Sequence, residues 1–304
     1  MKTPQDLHAK LQLLCRDIRL TRCARFQSRR NVELSNVSTF RERFGVRMAN
    51  KFYRPGEQRA ARVNDLFAAI APRYDLMNDL QSFGLHRLWK RRVVELAAVR
   101  PGDRALDLCC GTGDIALALA HRGAQVVGLD FTEEMLIVAE SRAPNSPSRI
   151  GSGNLQSGIR NPQFLRGDAQ RIPFPESEFD IVTIGYGLRN LANWETGLKE
   201  MARTAKPGAR LLVLDFGRPD NWLWRSVYFS YLKLFVPLLG LIFCRNAGAY
   251  AYILESLKNY PAQRGVAGRM RELGLTNVRL VNLVGGAMSI NYGEKPAGGR
   301  REQG

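Results

Sequence analysis

The sequence predicts an α/β protein: a doubly wound, mostly parallel sheet with a Rossmann-like crossover pattern, ending in an antiparallel hairpin and preceded by a helical cap. Three observations carry this. Apolar runs of strand length alternate with helical patterns between Arg104 and Phe216, the pattern of helices crossing over a parallel sheet. A glycine turn, Gly111-Thr112-Gly113, joins the first run to the first of these helices. Near the end, two apolar runs are separated only by Gly285-Gly286, a connection too short for anything but antiparallel pairing.

The elements follow in order. Residues 57–70, "EQRAARVNDLFAAI", place Val63, Leu66, Phe67 and Ile70 on one helical face, and Pro72 ends the helix. Residues 74–99 continue as a second helical region, broken near Ser82–Gly84. "RALDLCC" (104–110) reads as a buried strand and "DIALALAHRG" (114–123) as a helix; "AQVVGLD" (124–130) is a strand and 132–143 a helix with Thr132 as N-cap. Pro, Ser, Gly and Asn crowd residues 143–162, which read as a long loop. Strands follow at 163–169 and 179–187, a helix at 194–205, a turn at "KPGA" (206–209) and a strand at 210–216. Helical stretches fill 222–274, and the hairpin occupies 277–295.

The domain reading is a basic extension over 1–47 and a single domain over 48–304: helical cap 48–100, core 101–293, tail 294–304. The extension holds 11 Lys/Arg against 4 Asp/Glu. It reads as a transit peptide, as a disordered arm, or as sequence ahead of a true start at Met48, the last preferred. The chain has 304 residues and a net charge of +17. Such a charge suits anionic lipid headgroups or simply a solvated basic face. No zinc-finger, RRM or helix-turn-helix pattern supports a nucleic-acid partner. Five scattered cysteines fit neither a disulfide framework nor a metal site, and no metal is expected. They suit a reducing cytoplasmic setting, with the vicinal pair Cys109–Cys110 read as packing. The most apolar segment, Leu232–Cys244, contains Lys233, and its uncharged run of 11 residues is too short to span a bilayer.

The glycine turn allows a ligand to approach the backbone closely. Asp130, 19 residues after Gly111, ends the second strand, where an acid accepts from ribose hydroxyls. That placement serves a dinucleotide and S-adenosylmethionine alike, and Gly-x-Gly-x-x-Ala formally fits the dinucleotide fingerprint. Asp107 and Asp114 flank the turn and tilt the reading from a pyrophosphate to the cationic sulfonium or ammonium of S-adenosylmethionine. Asp168-Ala169 follow the third strand, where an acid and a small residue suit an adenine ring. An NAD-dependent dehydrogenase remains the alternative from another class.

Four stretches, "LDLCCGTGD", "GLDFTEEML", "GDAQRIPFPESEFD" and "KPGARLLVLDF", resemble successive motifs of class I S-adenosylmethionine-dependent methyltransferases. "YDLMNDLQSFGLHRLW" and "GYGLRNL" narrow the resemblance to the ubiquinone/menaquinone biosynthesis C-methyltransferases (UbiE/MenG type), over roughly residues 57–293. The chain departs from the family pattern at Gln81, Gly185, Thr204, Ala205, Ala209, Asp215 and Gly217. The resemblance implies methyl transfer from S-adenosylmethionine to a ring carbon of a polyprenylated quinol, demethylmenaquinol in preference to a benzoquinol. It implies a cofactor site of Asp107, Gly111, Thr112, Gly113, Asp130, Asp168 and Ala169. It also implies that Tyr74, Arg189 and Asn190 position a water base. By position, Arg189 and Asn190 end the fourth strand at the crevice, where the guanidinium can stabilise a developing phenolate. His86 in "HRLW" reads as structural. A quinol lives in a bilayer, so peripheral contact with the inner face of the membrane is expected. The aromatics Trp222, Trp224, Tyr228, Phe229, Tyr231, Phe235 and Phe243, interleaved with basic residues, suit an interfacial helix and a channel for the tail. The same helices could instead pack on the sheet or form a homodimer.

Overall fold

The computed structural model describes residues 57–143, 161–244, 253–254, 256–257 and 260–297, with side chains left undescribed at 57–62 and 241–244. All lie within the unit Phe52–Gly304. The basic extension, Met48, the body of the 143–162 loop, part of the 222–274 stretch and the last residues of the tail lie outside the described residues.

The helical cap comprises α1 (Glu57–Ile70), α2 (Tyr74–Ser82) and α3 (Leu85–Ala97). Pro72 sits in a 3₁₀ turn, Ala71–Arg73, and separates α1 from α2 as the sequence requires. Phe83 and Gly84 adopt left-handed backbone (φ 52° and 74°) and make the break between α2 and α3.

The core then alternates. Its elements are β1 (Arg104–Leu108), α4 (Asp114–His121), β2 (Gln125–Asp130), α5 (Glu133–Arg142), β3 (Gln163–Arg166), β4 (Phe179–Gly185), α6 (Trp194–Thr204) and β5 (Ala205–Phe216). α7 (Trp222–Ser230), a π-helical turn (Tyr231–Phe235) and α8 (Val236–Cys244) follow. The chain finishes with α9 (Ala262–Glu272), β6 (Thr276–Leu283) and β7 (Met288–Glu294). The sheet order is β3-β2-β1-β4-β5-β7-β6. β7 runs antiparallel to both β5 and β6. An all-parallel dinucleotide-binding sheet has no such strand, so the topology turns against the dehydrogenase alternative.

The alternating faces of the strands build two cores. Leu106, Leu108, Val182, Ile184, Leu211 and Val213 pack with Leu198 and Met201 of α6 and with Val266 and Met270 of α9. On the other face, Ala105, Ile181, Leu212 and Leu214 pack with Val93, Val94 and Ala97 of α3 and with Ile115 and Leu119 of α4. Each of the Leu, Ile, Val and Met side chains contributes about 1.5–3 kcal/mol by leaving water. A third cluster joins Leu66, Ile70 and Met77 of the cap to Tyr228, Leu232 and Val236. The helices after β5 thus fold back onto the cap, and a cavity remains between them.

Two local expectations are corrected. "KPGA" is part of β5: Phe179 pairs with Ala205 and Ile181 with Arg210, so the segment bulges from the ladder. Its Gly208 amide donates to Lys295 O at 2.8 Å, which continues the β5–β7 ladder beyond Arg210–Glu294 where a free turn was expected. Thr132 does occupy the N-cap of α5, but its hydroxyl makes no capping bond. Its amide instead donates to Asp130 Oδ1 at 2.9 Å.

Candidate active site

β1, β2 and β4 end at one edge of the sheet, and beyond that edge lie three adjoining cavities. The largest, about 270 Å³, lies between the cap and the α7–α8 region. Apolar and aromatic side chains dominate its wall, among them Phe67, Trp89, Phe216, Trp224 and Tyr231. A second, of about 100 Å³, lies over the strand ends and is lined by Gly111, Asp130, Asp168, Ala169 and Asn190. A third, about 20 Å³, lies beside the glycine turn against Lys90, Asp107, Thr112 and Asp114.

The predicted cofactor residues divide between the two smaller cavities. Asp130 is fixed at the end of β2: its Oδ2 accepts from Gly111 N at 2.8 Å and its Oδ1 from Thr132 N. Each oxygen keeps a lone pair for a ligand. Burial raises its pKa against these hydrogen bonds. Asp168 accepts from Gln170 N at 2.8 Å, which orients it beside Ala169. Gly113 lines none of the three cavities. It adopts φ 84° as the N-cap of α4, and a Cβ there would press on Ala139 and Phe164 at 3.1 Å. The turn and the close packing of the helix against α5 and β3 require a glycine there.

The two acids that tilted the sequence reading also move. Asp114 is bound by Lys90 at 2.6 Å and by Arg142 at 2.5 Å. Burial opposes ionisation of its carboxyl, but the two cations outweigh burial and lower its pKa. Its charge is therefore spent within the protein. Asp107 faces Thr183 across β1–β4, accepting from Thr183 Oγ1 at 2.7 Å and from Ala116 N at 3.1 Å. Burial pushes its pKa up to about 7, opposed by those two bonds. The Ala116 amide, one of the N–H groups left free at the start of α4, is thus occupied by this carboxylate. Thr112 Oγ1 likewise donates to Asp75 of the cap at 2.8 Å. Arg142 ties the arrangement together through Asp75, Thr112 O and Asp114.

Uncompensated negative charge lies instead at the second cavity. Among the described residues, the second cavity is lined by two carboxylates, Asp130 and Asp168, and by no cationic side chain. A pyrophosphate would meet like charge there without compensation, whereas a cationic nucleoside finds complementary charge. Asn190 Oδ1 is buried with no partner among the described residues, a further acceptor at this wall. These acceptors fit S-adenosylmethionine. Asp130 would hold its ribose, Asp168 and Ala169 its adenine, and the bound molecule supplies an electrophilic methyl on a sulfonium.

Tyr74, Arg189 and Asn190 meet only in part. Tyr74 opens α2 and lines all three cavities; burial raises its pKa, so its phenol is held protonated. Arg189 lines the large cavity and Asn190 the second. β4 ends at Gly185, and both residues lie in the 3₁₀ turn Leu188–Asn190 beyond it. Arg189 Nη1 contacts Asp215 Oδ1 at 2.8 Å, and both side chains are buried (6% and 2% exposed). Arg189 Nη1 and Asn190 Nδ2 converge on one acceptor, the Tyr186 carbonyl, at 2.5 and 3.1 Å. His86 is buried and its Nε2 donates to Asp79 Oδ1 at 2.8 Å, consistent with its structural reading. Burial raises the Cys109 and Cys110 thiols far above their ordinary range, as suits packing.

Sequence reasoning missed Asp215, Tyr186, Lys90, Asp75 and Arg142. Lys90 carried a signal: it falls within the stripe His86, Val93, Val94, Ala97 that α3 buries, and a lysine on an apolar face calls for a buried carboxylate.

Comparison with known proteins gives the family. The family model of the ubiE/COQ5 methyltransferases matches residues 56–295. The ubiquinone/menaquinone biosynthesis C-methyltransferase UbiE of Ectopseudomonas mendocina is 41% identical over 246 residues, 80% of this chain and 92% of that protein. The protein of the same name from Azotobacter vinelandii is 39% identical, covering 80% and 93%. Among solved structures, a SAM-dependent methyltransferase from Thermotoga maritima superposes with a TM-score of 0.53 at 18% identity. It covers 77% of this chain and 99% of its own, a likeness of fold alone. With S-adenosylmethionine as its methyl donor, the chain belongs to the ubiE/COQ5 methyltransferase family.

Proposed function

We propose that the protein transfers the methyl of S-adenosylmethionine to a ring carbon of a polyprenylated quinol, with demethylmenaquinol as the preferred substrate. The observation that carries this is the large apolar cavity set against the cofactor cavity. Phe67, Tyr74 and Tyr186 are common to both. A quinol ring at that boundary lies beside the donor, while its isoprenoid tail fills the apolar chamber. The chamber opens through residues that line it and are also exposed: Phe83, Leu85, Val227 and Val284. Trp222, Leu223 and Leu234 extend this apolar rim, and the exposed Lys233 adds positive charge. Such a rim suits peripheral docking on an anionic lipid surface, from which a quinol enters. Among the described residues no helix is long and apolar enough to cross a membrane.

The chain's residues account for the steps as follows. Asp130 and Asp168 hold the donor, and the tyrosines at the boundary orient the ring, so that proximity supplies much of the rate. A quinol carbon becomes nucleophilic when a ring hydroxyl ionises. A water held near Tyr74 and Asn190 takes that proton. Arg189, through its position at the large cavity, stabilises the resulting negative oxygen. The ring carbon then takes the methyl as the neutral thioether leaves, and the hydrogen on that carbon is lost as a proton, which restores the aromatic ring. The curated relatives carry both ubiquinone and menaquinone in their names, so a benzoquinol is the alternative acceptor. The test presents the full chain with demethylmenaquinol and with the corresponding benzoquinol in anionic vesicles. A higher kcat/KM for the naphthoquinol supports the reading; a higher value for the benzoquinol reverses the preference.

A further inference from the structure

Tyr186 stands directly after β4 in a conformation that non-glycine residues avoid, φ 60°. The surroundings over-determine it. Its amide donates to Leu214 O at 2.7 Å, and its carbonyl accepts from Arg189 Nη1 and Asn190 Nδ2. Its ring packs edge-on against Phe216, with centroids 6.1 Å apart, and the Lys90 ammonium lies 5.8 Å from its centroid. Strain held in this way is a sign that the side chain's direction matters.

Two further observations say where and for what. Tyr186 and Tyr74 are the residues that line all three cavities. The Tyr186 hydroxyl is buried and has no hydrogen-bond partner among the described residues. A buried phenol without a partner is costly, and its replacement by an apolar ring of the same shape would remove that cost. Among the described residues this hydroxyl has nothing to bind, at a point where donor and acceptor cavities meet. A polyprenyl quinol is apolar except for its two ring oxygens, and a ring placed for methyl transfer brings one of them to this boundary. Burial raises the pKa of the phenol well above its ordinary value, so it stays a donor.

We infer that Tyr186 is a catalytic residue whose hydroxyl donates a hydrogen bond to a ring oxygen of the quinol. The inference rests on the proposed quinol reading. The bond strengthens as that oxygen becomes negative, because a charged acceptor roughly doubles a hydrogen bond. In this arrangement Arg189 and Asn190 also act through Tyr186, by fixing the carbonyl that aims its ring.

The test is Tyr186→Phe in the full chain, which deletes one oxygen. Wild-type turnover with demethylmenaquinol is measured first and reports on the quinol reading itself. Affinity for S-adenosylmethionine is then measured by calorimetry, and quinol binding by quenching of Trp89 and Trp224, which line the cavity. The expected result is a fall in kcat/KM of roughly tenfold or more, carried mainly by kcat, as for loss of one hydrogen-bond donor to a developing anion. Quinol binding should weaken by less than tenfold, donor affinity should stay within about twofold, and Tm should be unchanged or higher. Unchanged kcat/KM would overturn the assignment. So would a loss of donor affinity at unchanged quinol binding, or a clear drop in Tm, which would show that the hydroxyl serves the cofactor or the fold.

Discussion

Asp215→Ala isolates the charge pair beneath the site. In the wild type the carboxylate accepts from Arg189 Nη1 at 2.8 Å, from Arg189 N at 3.2 Å and from Phe216 N at 2.8 Å. Both partners are buried, and the Arg189 guanidinium also stacks 4.6 Å from the Phe216 ring. Two unit charges about 4 Å apart at an effective dielectric of about 20 attract by about 4 kcal/mol. Breaking a buried pair by removing one member costs about 3–5 kcal/mol, because the remaining charge stays desolvated. Asp215→Ala should therefore destabilise by about 4 kcal/mol in urea unfolding followed by circular dichroism. Removing both charges with Arg189→Met and Asp215→Leu should cost far less, since a buried pair replaced by apolar side chains is often neutral. A cost below about 1 kcal/mol for the single change, or a double change equal to the sum of the singles, would refute the argument.

Two other predictions concern the acids of the glycine turn. Asp107 has a folded-state pKa raised by burial to about 7, above its unfolded value. Between pH 4 and 7 the folded state thus holds the proton that the unfolded state has lost, so stability falls as pH rises through this window. Asp107→Asn, which mimics the neutral acid, should gain stability relative to wild type across that window in pH-dependent urea unfolding. A pH-independent difference would contradict this. Asp130→Asn should weaken S-adenosylmethionine binding by roughly ten- to hundredfold in calorimetry, the loss of about 1.5–3 kcal/mol that a charge-assisted hydrogen bond carries. Wild-type affinity would show that the ribose is held elsewhere.

The fold was largely legible because its signals are local. Strand runs such as Ala105–Leu108 and Ile181–Ile184 are buried on both faces, so they read as mostly apolar runs interrupted only by Asp107 and Thr183. The Gly285–Gly286 turn announced the antiparallel ending. "KPGA" misled because turn residues also build bulges within a strand, here on the β4 side of β5. The site was less legible, because charge partners there come from remote segments. Lys90 is 24 residues before Asp114, and Arg142 is 28 after it. Asp114 therefore looked free in sequence when it is doubly paired. Asp215 was masked by its place in the apolar run "RLLVLDF", where nothing marks it as the partner of Arg189. Asp130, Asp168 and Gly111 could be singled out because strand ends and the glycine turn are fixed by the topology itself, and all three line the second cavity. Tyr186 was missed because a single aromatic beyond a strand carries no pattern, and only the geometry shows three cavities meeting on it.

The most direct test of the account is the fate of the methyl group. The full chain is incubated with S-adenosylmethionine bearing a deuterated methyl and with demethylmenaquinol in anionic vesicles, and the product is fragmented by mass spectrometry. The account predicts one labelled methyl on a carbon of the quinol ring. A label on a ring oxygen, or wild-type protein that binds the donor but transfers no methyl to any polyprenyl quinol, would contradict it.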